Sequence, residues 1–552
     1  MIESVEVIIN GRKKTYNKGI ALEEIAQDYQ DKFKYPIILA RVENRLKELS
    51  FTVEEPCTIE FLDLTSKEGN NTHINGLVYV MVYAVKKLYG KNANIIVEHS
   101  LDKGVYIEST FKLTEEKVKE IKDKMKEIIA DNKPIIKNNV DRMEAMKYFE
   151  KVGDTAKAGV MSYSTNNYVT LYRLGNLYNY FYNLMPISTG LVKDFDLTYI
   201  KGNGFILRFP TVFIQDKIKK YEHHEKLFEV FKEYRDWGKK LNISTSVDLN
   251  RIVSLGKTSD MIKIDSTVQD HRILSVAREI SERKNDIKIV LIAGPSSSGK
   301  TTTSKKLCMY LQMFGIRPNV LSMDDYFKER EDNPKNEDGS YDYECLEALD
   351  LKLFDKQIED LLKGEEVVVP DFNFTFGIKE YNRKVKLDDN EILVIEGIHA
   401  LDDKILTKIQ RNKKYKIYIS PLTEVNVDDH NRISTADNRL LRRIIRDNRT
   451  RSYTVEETLE AWQNVRNGEE IYVFPFQDDS DVIVNTASVY EIGVLKTYVE
   501  PLLYSVDIDS PYYEEAKRLL DFLKVFLPIP SDAIPEDAIL REFIGGSYFE
   551  SK

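Results

Sequence analysis

Eight residues, Gly294-Pro295-Ser296-Ser297-Ser298-Gly299-Lys300-Thr301, fill every fixed position of the phosphate-loop pattern G-x-x-x-x-G-K-[ST]. Gly294 and Gly299 let the backbone curl, so that N–H groups along Ser296, Ser297, Ser298 and on to Thr302 converge on phosphate oxygens. Lys300 is expected to reach the β/γ-phosphates of ATP, and the Thr301 hydroxyl to hold Mg²⁺. Two acids downstream suit the rest of a phosphoryl transfer, which needs a carboxylate to accept a hydroxyl proton and another to hold the metal. Asp324, in Ser322-Met323-Asp324-Asp325, is the expected base, with Asp325 beside it as a competitor; Glu396, after the apolar run Ile392-Leu393-Val394-Ile395, is the expected metal carboxylate. Farther on, LRRIIRDNRTR crowds Arg439, Arg442, Arg443, Arg446, Arg449 and Arg451. Helical spacing puts Arg439, Arg443 and Arg446 on one stripe, with Arg449 and Arg451 expected where the helix gives way to a loop. Beside a phosphate loop these guanidinium groups read as a lid over the transferring phosphate.

These residues need strands that end together. Ile287, Ile289, Val290, Leu291 and Ile292 form an apolar run, as a central parallel strand reads, and it leads directly into the loop. A helix closing at Gly315 and a strand through Val320 and Leu321 follow, so the order predicts βαβ units of a doubly wound sheet whose strand ends carry the site.

At 552 residues the chain calls for roughly three or four domains. A net charge of −10 gives no global reason to bind nucleic acid. Cys57, Cys308 and Cys345 are too scattered for a disulfide framework or a zinc site, and no run is long enough to span a bilayer, so a cytoplasmic setting is expected.

Residues 1–64 read as a small mixed domain: strand SVEVII, a turn at Asn10-Gly11, a helix around Ala21 to Tyr29, and strands ILARV and CTIEFL. This order resembles the β-grasp TGS domain of threonyl-tRNA synthetases. Residues 65–214 continue that resemblance, with THINGLVYVMVYAVKKLYG similar to the opening helix of the synthetase editing domain and PISTGLVKDFDLTYIKGNGFILR to its closing segment. The family's histidine pair is broken here, since Leu77 stands in the second position after His73, and Phe181 to Pro186 offers neither Cys nor His. No metal-dependent deacylation is expected, and His73 reads as a helix-start or satisfied polar residue. The tyrosines from Tyr163 to Tyr182 read as packing rather than base-stacking groups, few Lys or Arg being interleaved. Residues 215–284 read as a helical connector, with His223 and His224 at the surface, and 506–552 as a helical tail that packs back and carries no chemistry.

GPSSSGKTT, LSMDDYF, YDYECLEALD, EGIHAL and LRRIIRDNRTRS, in this order, resemble the uridine kinase and phosphoribulokinase group of P-loop kinases over 285–505. The resemblance implies an ATP- and Mg²⁺-dependent nucleoside kinase. It makes Asp324 the catalytic aspartate, with Lys300 and Arg446 on the transferred phosphate, Asp342 on the ribose hydroxyls, Arg443 and Phe372 at the acceptor, and Arg449 and Arg451 on ATP. Gly377 and Ala461 stand where the family reads the base, so the preferred nucleoside stays open. Two further readings remain beside this one: a nucleotide-gated RNA- or tRNA-binding regulator, and a kinase for another hydroxyl acceptor such as a sugar phosphate. A homo-oligomer is possible on either.

Overall fold

The phosphate-loop strand sits in the middle of a parallel sheet. In the computed structural model, which describes residues 3–202, 204–214, 217–335, 339, 341–373, 376–388, 390–423 and 425–550, the sheet runs in the order Arg317–Ser322, Glu391–Glu396, Ile289–Ala293, Lys414–Ser420, Val482–Asn485. Every neighbouring pair is parallel. Ile289–Ala293 is buried along its whole length, and its side chains alternate between two cores. Val290 and Ile292 join Leu307 and Leu311 of the Lys300–Met313 helix and Ile273, Val276 and Ile280 of the Thr258–Glu282 helix. Ile289, Leu291 and Ala293 join Phe354, Ile358 and Leu361 of the Leu351–Leu362 helix and Leu227 and Phe231 of the Glu225–Leu241 helix. The stretch expected as a connector therefore covers both faces of the sheet. Between its two expected helices lies a third, Ser246–Ser254, started by a capping box of Thr245 and Asp248.

In the front half, the strands Arg12–Asn17, Ser4–Ile9, Cys57–Leu62, Leu39–Val42 and Arg45–Glu48 form a mixed sheet, parallel only between Ser4–Ile9 and Cys57–Leu62 among the described residues. Leu22 and Ile25 of the short Leu22–Gln27 helix seal one face. The Lys67–Tyr89 and Glu115–Ala130 helices pack in one core with an antiparallel sheet ordered Asp196–Ile200, Gly204–Arg208, Gly104–Ser109, Ile95–Leu101. His73 lies in the second turn of the first of these helices, 1% exposed, and neither ring nitrogen has a hydrogen-bond partner; burial lowers its pKa to about 4 and keeps it neutral. It is buried rather than satisfied. Of the tyrosines, Tyr172 is buried with its hydroxyl on Glu48, whereas Tyr168 is exposed. His224, expected at the surface, is half-buried between Asp478 and Asp102, and these partners raise its pKa to about 9.

The two halves are joined through buried polar contacts. The Val97 N–H donates to the Asp429 carbonyl at 2.8 Å, and the fully buried Lys157 ammonium lies 3.0 Å from Asp428. No helix among the described residues is long and apolar enough to cross a membrane.

Candidate active site

Strand register brings the three expected acidic and phosphate-binding elements side by side. Glu396 ends the strand that lies between the phosphate-loop strand and Arg317–Ser322; it pairs with Ile292 on one side and Ser322 on the other. Asp324 follows Ser322 by two residues in a tight turn, Met323–Tyr326, whose start is capped by the Ser322 hydroxyl. Gly397 makes the close approach possible, because a Cβ there would stand 2.6 Å from the Met323 Cβ.

The phosphate loop is fixed by buried charge. Ser297 and Gly299 take positive φ values of 58° and 86°, and the Lys300–Met313 helix begins immediately after. The Ser296 N–H donates to the Glu469 carboxylate at 2.9 Å. Glu469 is in turn held bidentately by Arg439, and by Arg466 at 2.8 Å. Burial opposes its charge, but Arg439 and Arg466 outweigh burial and lower its pKa. Arg442 pairs with Glu491 and donates to the Ser297 carbonyl at 3.3 Å, while the Thr486 hydroxyl donates to the Ser298 carbonyl at 2.5 Å. Lys300 turns back on the loop, donating to the carbonyls of Gly294 at 2.9 Å and Pro295 at 3.3 Å. Thr301 is exposed and Thr302 buried, with the Thr302 N–H on the Glu542 carboxylate at 3.0 Å.

The arginine helix runs Thr435–Arg451, so Arg449 and Arg451 are its last turn and not a loop; Ser452, in the left-handed region at φ 56°, ends it. Its most buried guanidinium groups are Arg439 and Arg442, which brace the loop from behind. Arg443, Arg446 and Arg451 gather around the buried Asp447 carboxylate at 3.2, 2.8 and 3.5 Å, and Arg443 also donates to the Ser296 hydroxyl at 2.8 Å. Arg449 donates to the carbonyls of Phe543 and Glu542.

Asp324 is exposed to solvent in the Met323–Tyr326 turn. The surrounding protein raises its pKa, against the opposing pull of Lys300, Arg451 and Arg446, so all three cations act on the same carboxyl. Asp325 turns away to accept the Phe372 N–H at 3.4 Å, with its pKa raised by burial to about 6. Glu396 is pushed up to about 7, by burial first and then by Asp324, Glu542 and Asp325, with Lys300 opposing.

In YDYE the structure separates two acids. Asp342 accepts the Glu344 N–H at 2.9 Å, and its charge acts on Cys345, His399 and Tyr472. Glu344 instead lies among Arg443, Glu469, Asp324 and Lys300, and burial raises its pKa to about 7. Sequence reasoning passed over it. Phe372, on the hairpin of Val367–Asn373 with Ile378–Val385, is buried with its ring 5.8 Å from that of Phe327, and Gly377 packs against Arg330. Ala461 lies within the Val455–Tyr472 helix that also carries Arg466 and Glu469.

The donor set fits Mg²⁺. Carboxyls of Glu396, Asp324 and Asp325 act on one another near Lys300, so hard oxygen donors are concentrated at the strand ends. No group of three or more His, Cys, Asp or Glu side chains converges at ligand geometry among the described residues.

Residues 289–493 match the phosphoribulokinase / uridine kinase family. The matched region is a P-loop kinase domain, and the chain is a phosphotransferase. It is 26% identical to the uridine kinase of Staphylococcus haemolyticus over 218 residues, 39% of this chain and 96% of that one. It is 28% identical to the uridine kinase of Anoxybacillus flavithermus over 197 residues, 36% of this chain and 84% of that one. The N-terminal region is similar to the threonine–tRNA ligase of Thermotoga maritima, at 29% identity over 197 residues, 35% of this chain but only 30% of the ligase.

Proposed function

We propose that the chain is an ATP- and Mg²⁺-dependent nucleoside kinase that transfers the γ-phosphoryl group to a ribose 5′-hydroxyl. The observation that carries this reading is the strand register that sets Glu396 between the phosphate-loop strand and Ser322, with Asp324 two residues beyond Ser322. Asp324 accepts the hydroxyl proton as the oxygen attacks, and Lys300 leaves its carbonyl contacts to stabilise charge on the transferred group. Arg446 and Arg451, released from Asp447, serve the same charge, and Arg443 aligns the acceptor across the Ser296 hydroxyl. Glu344 accepts hydrogen bonds from the sugar hydroxyls, in the role that the sequence reading gave to Asp342. Thr301 and Glu396 would hold Mg²⁺, which would supply charge neutralisation to the phosphates. Phe372 backs the wall next to the acceptor.

The similarity to uridine kinases supports a nucleoside acceptor, and the front half is proposed as a TGS-like domain at 1–64 and an editing-like domain without its metal site at 65–214. A panel of nucleosides with Mg·ATP tests the reading. Acceptor-dependent ADP release is expected for at least one nucleoside, and Asp324→Asn should lower it by about 10²–10⁴-fold while keeping nucleotide binding. ATP binding without turnover on any nucleoside would sink the nucleoside assignment.

A further inference from the structure

A carboxylate on the phosphate loop's helix start comes from far along the chain. Glu542 belongs to a short helix, Arg541–Ile544, and its Oε2 accepts the Thr302 N–H at 3.0 Å. The first N–H groups of a long helix are where a phosphate oxygen binds, since they have no partner within the helix and carry its positive end. An anion is therefore already seated in the nucleotide's place.

Its presentation is built by apolar packing. Ile539 is 2% exposed and lies against Gly299, where a Cβ would stand 2.5 Å from the Ile539 side chain. Phe543 is fully buried under the Arg442 guanidinium, 4.8 Å from its ring centre. Arg449 binds the carbonyls of Glu542 at 2.9 Å and Phe543 at 3.2 Å, so an arginine assigned above to ATP is held by the same segment. Glu542 itself is only half-buried. Lifting Ile539 and Phe543 would expose two almost fully buried apolar side chains to water, whereas rotating one half-exposed glutamate moves a group already near solvent.

We propose that Glu542 is a built-in competitor for the nucleotide phosphates: its carboxylate occupies the Thr302 N–H in the nucleotide-free protein and swings out when polyphosphate binds, while Ile539 and Phe543 stay docked. The contact sets a threshold that weak anions do not pass and that a chelated triphosphate does. This inference rests on the phosphate loop being the nucleotide site.

The test is binding of Mg·ATP, and separately of inorganic tripolyphosphate, to the full chain by calorimetry, with Glu542→Ala and Glu542→Gln beside the wild type and Lys300→Ala as a control. Both Glu542 variants should bind either ligand about tenfold more tightly than wild type, with thermal unfolding confirming that they are folded. In the unsubstituted protein, hydrogen exchange across 538–545 should be unchanged by Mg·ATP. Equal or weaker binding in both Glu542 variants overturns the proposal while leaving the nucleotide site standing, provided Lys300→Ala weakens binding. Loss of protection throughout 538–545 also overturns it, since the whole segment would then leave. Failure of every protein to bind either ligand overturns this proposal and the kinase reading together.

Discussion

The Glu469 carboxylate accepts the Ser296 N–H inside the phosphate loop at 2.9 Å while Arg439 grips its other side. Glu469 is 2% and Arg439 1% exposed, so the loop hangs from an ion pair with almost no access to water. Removing one partner of such a pair strands the other charge, at a cost of about 3–5 kcal/mol. Glu469→Ala should therefore lower the thermal unfolding temperature and weaken Mg·ATP binding together. An unchanged nucleotide affinity in a destabilised variant would show that the loop holds its shape without this brace.

The state of Asp324 should be visible in pH profiles of turnover. The surrounding protein raises its pKa, and Lys300, Arg451 and Arg446 pull it back down. The ionised form is the base, so kcat/KM should fall as pH drops through the pKa. Arg451→Gln takes away one of the lowering charges, so the acidic limb should move to higher pH, by on the order of half a unit for a partly exposed group. A shift to lower pH, or none, would mean another group governs that limb.

Glu344 and Asp342 can be told apart by acceptor affinity. A charge-assisted hydrogen bond to a sugar hydroxyl contributes about 1.5–3 kcal/mol, so Glu344→Gln should raise the acceptor KM by about 10–100-fold with a smaller change in the KM for ATP. Asp342→Asn should leave the acceptor KM close to wild type, since an amide oxygen can still accept the Glu344 N–H. The reverse pattern would return the sugar-binding role to Asp342.

Local pattern made the catalytic half legible. The buried strand Ile289–Ala293, the loop and the acids at two strand ends are read from apolar runs broken by Gly and Asp, and register alone then places Glu396 beside Ser322. Contacts between distant residues left no such mark. Arg439 and Arg442 read as members of a lid over the phosphate, because Glu469 and Glu491, which bury them behind the loop, come 30 and 49 residues later. The helix through Arg451 outlasts its expected end because Asp447, inside it, collects the guanidinium groups that would otherwise repel one another. The Ser246–Ser254 helix was legible in principle, since Thr245 and Asp248 have capping-box spacing, but its apolar stretch is short. Glu542 has no local signal at all, being one acid in a proline-spaced segment until tertiary packing aims it at Thr302.

Asp265 makes the stability of the kinase half depend on pH. It is 4% exposed on the inner face of the Thr258–Glu282 helix, where Gln269 donates to it at 3.3 Å. Burial pushes its pKa from 3.8 up to about 7, although hydrogen bonds from Ser488 and Val489 and the charge of Arg272 resist. The folded chain thus keeps a proton that the unfolded chain releases above about pH 4. More protons bound in the folded state means that stability falls as pH rises, here across the window from about 4 to about 7, and levels off above it. Asn resembles the protonated carboxyl in shape and charge. Asp265→Asn should accordingly match wild type near pH 4 and exceed it at pH 8 by on the order of 1–3 kcal/mol, while Glu344 and Glu396, also raised to about 7, leave a residual slope of the same sign in both proteins. Thermal unfolding of the two proteins at pH 5 and pH 8 reads this directly. A gap that does not widen with pH would mean that the folded protein carries Asp265 ionised, with the Ser488 and Val489 contacts strong enough to hold the charge.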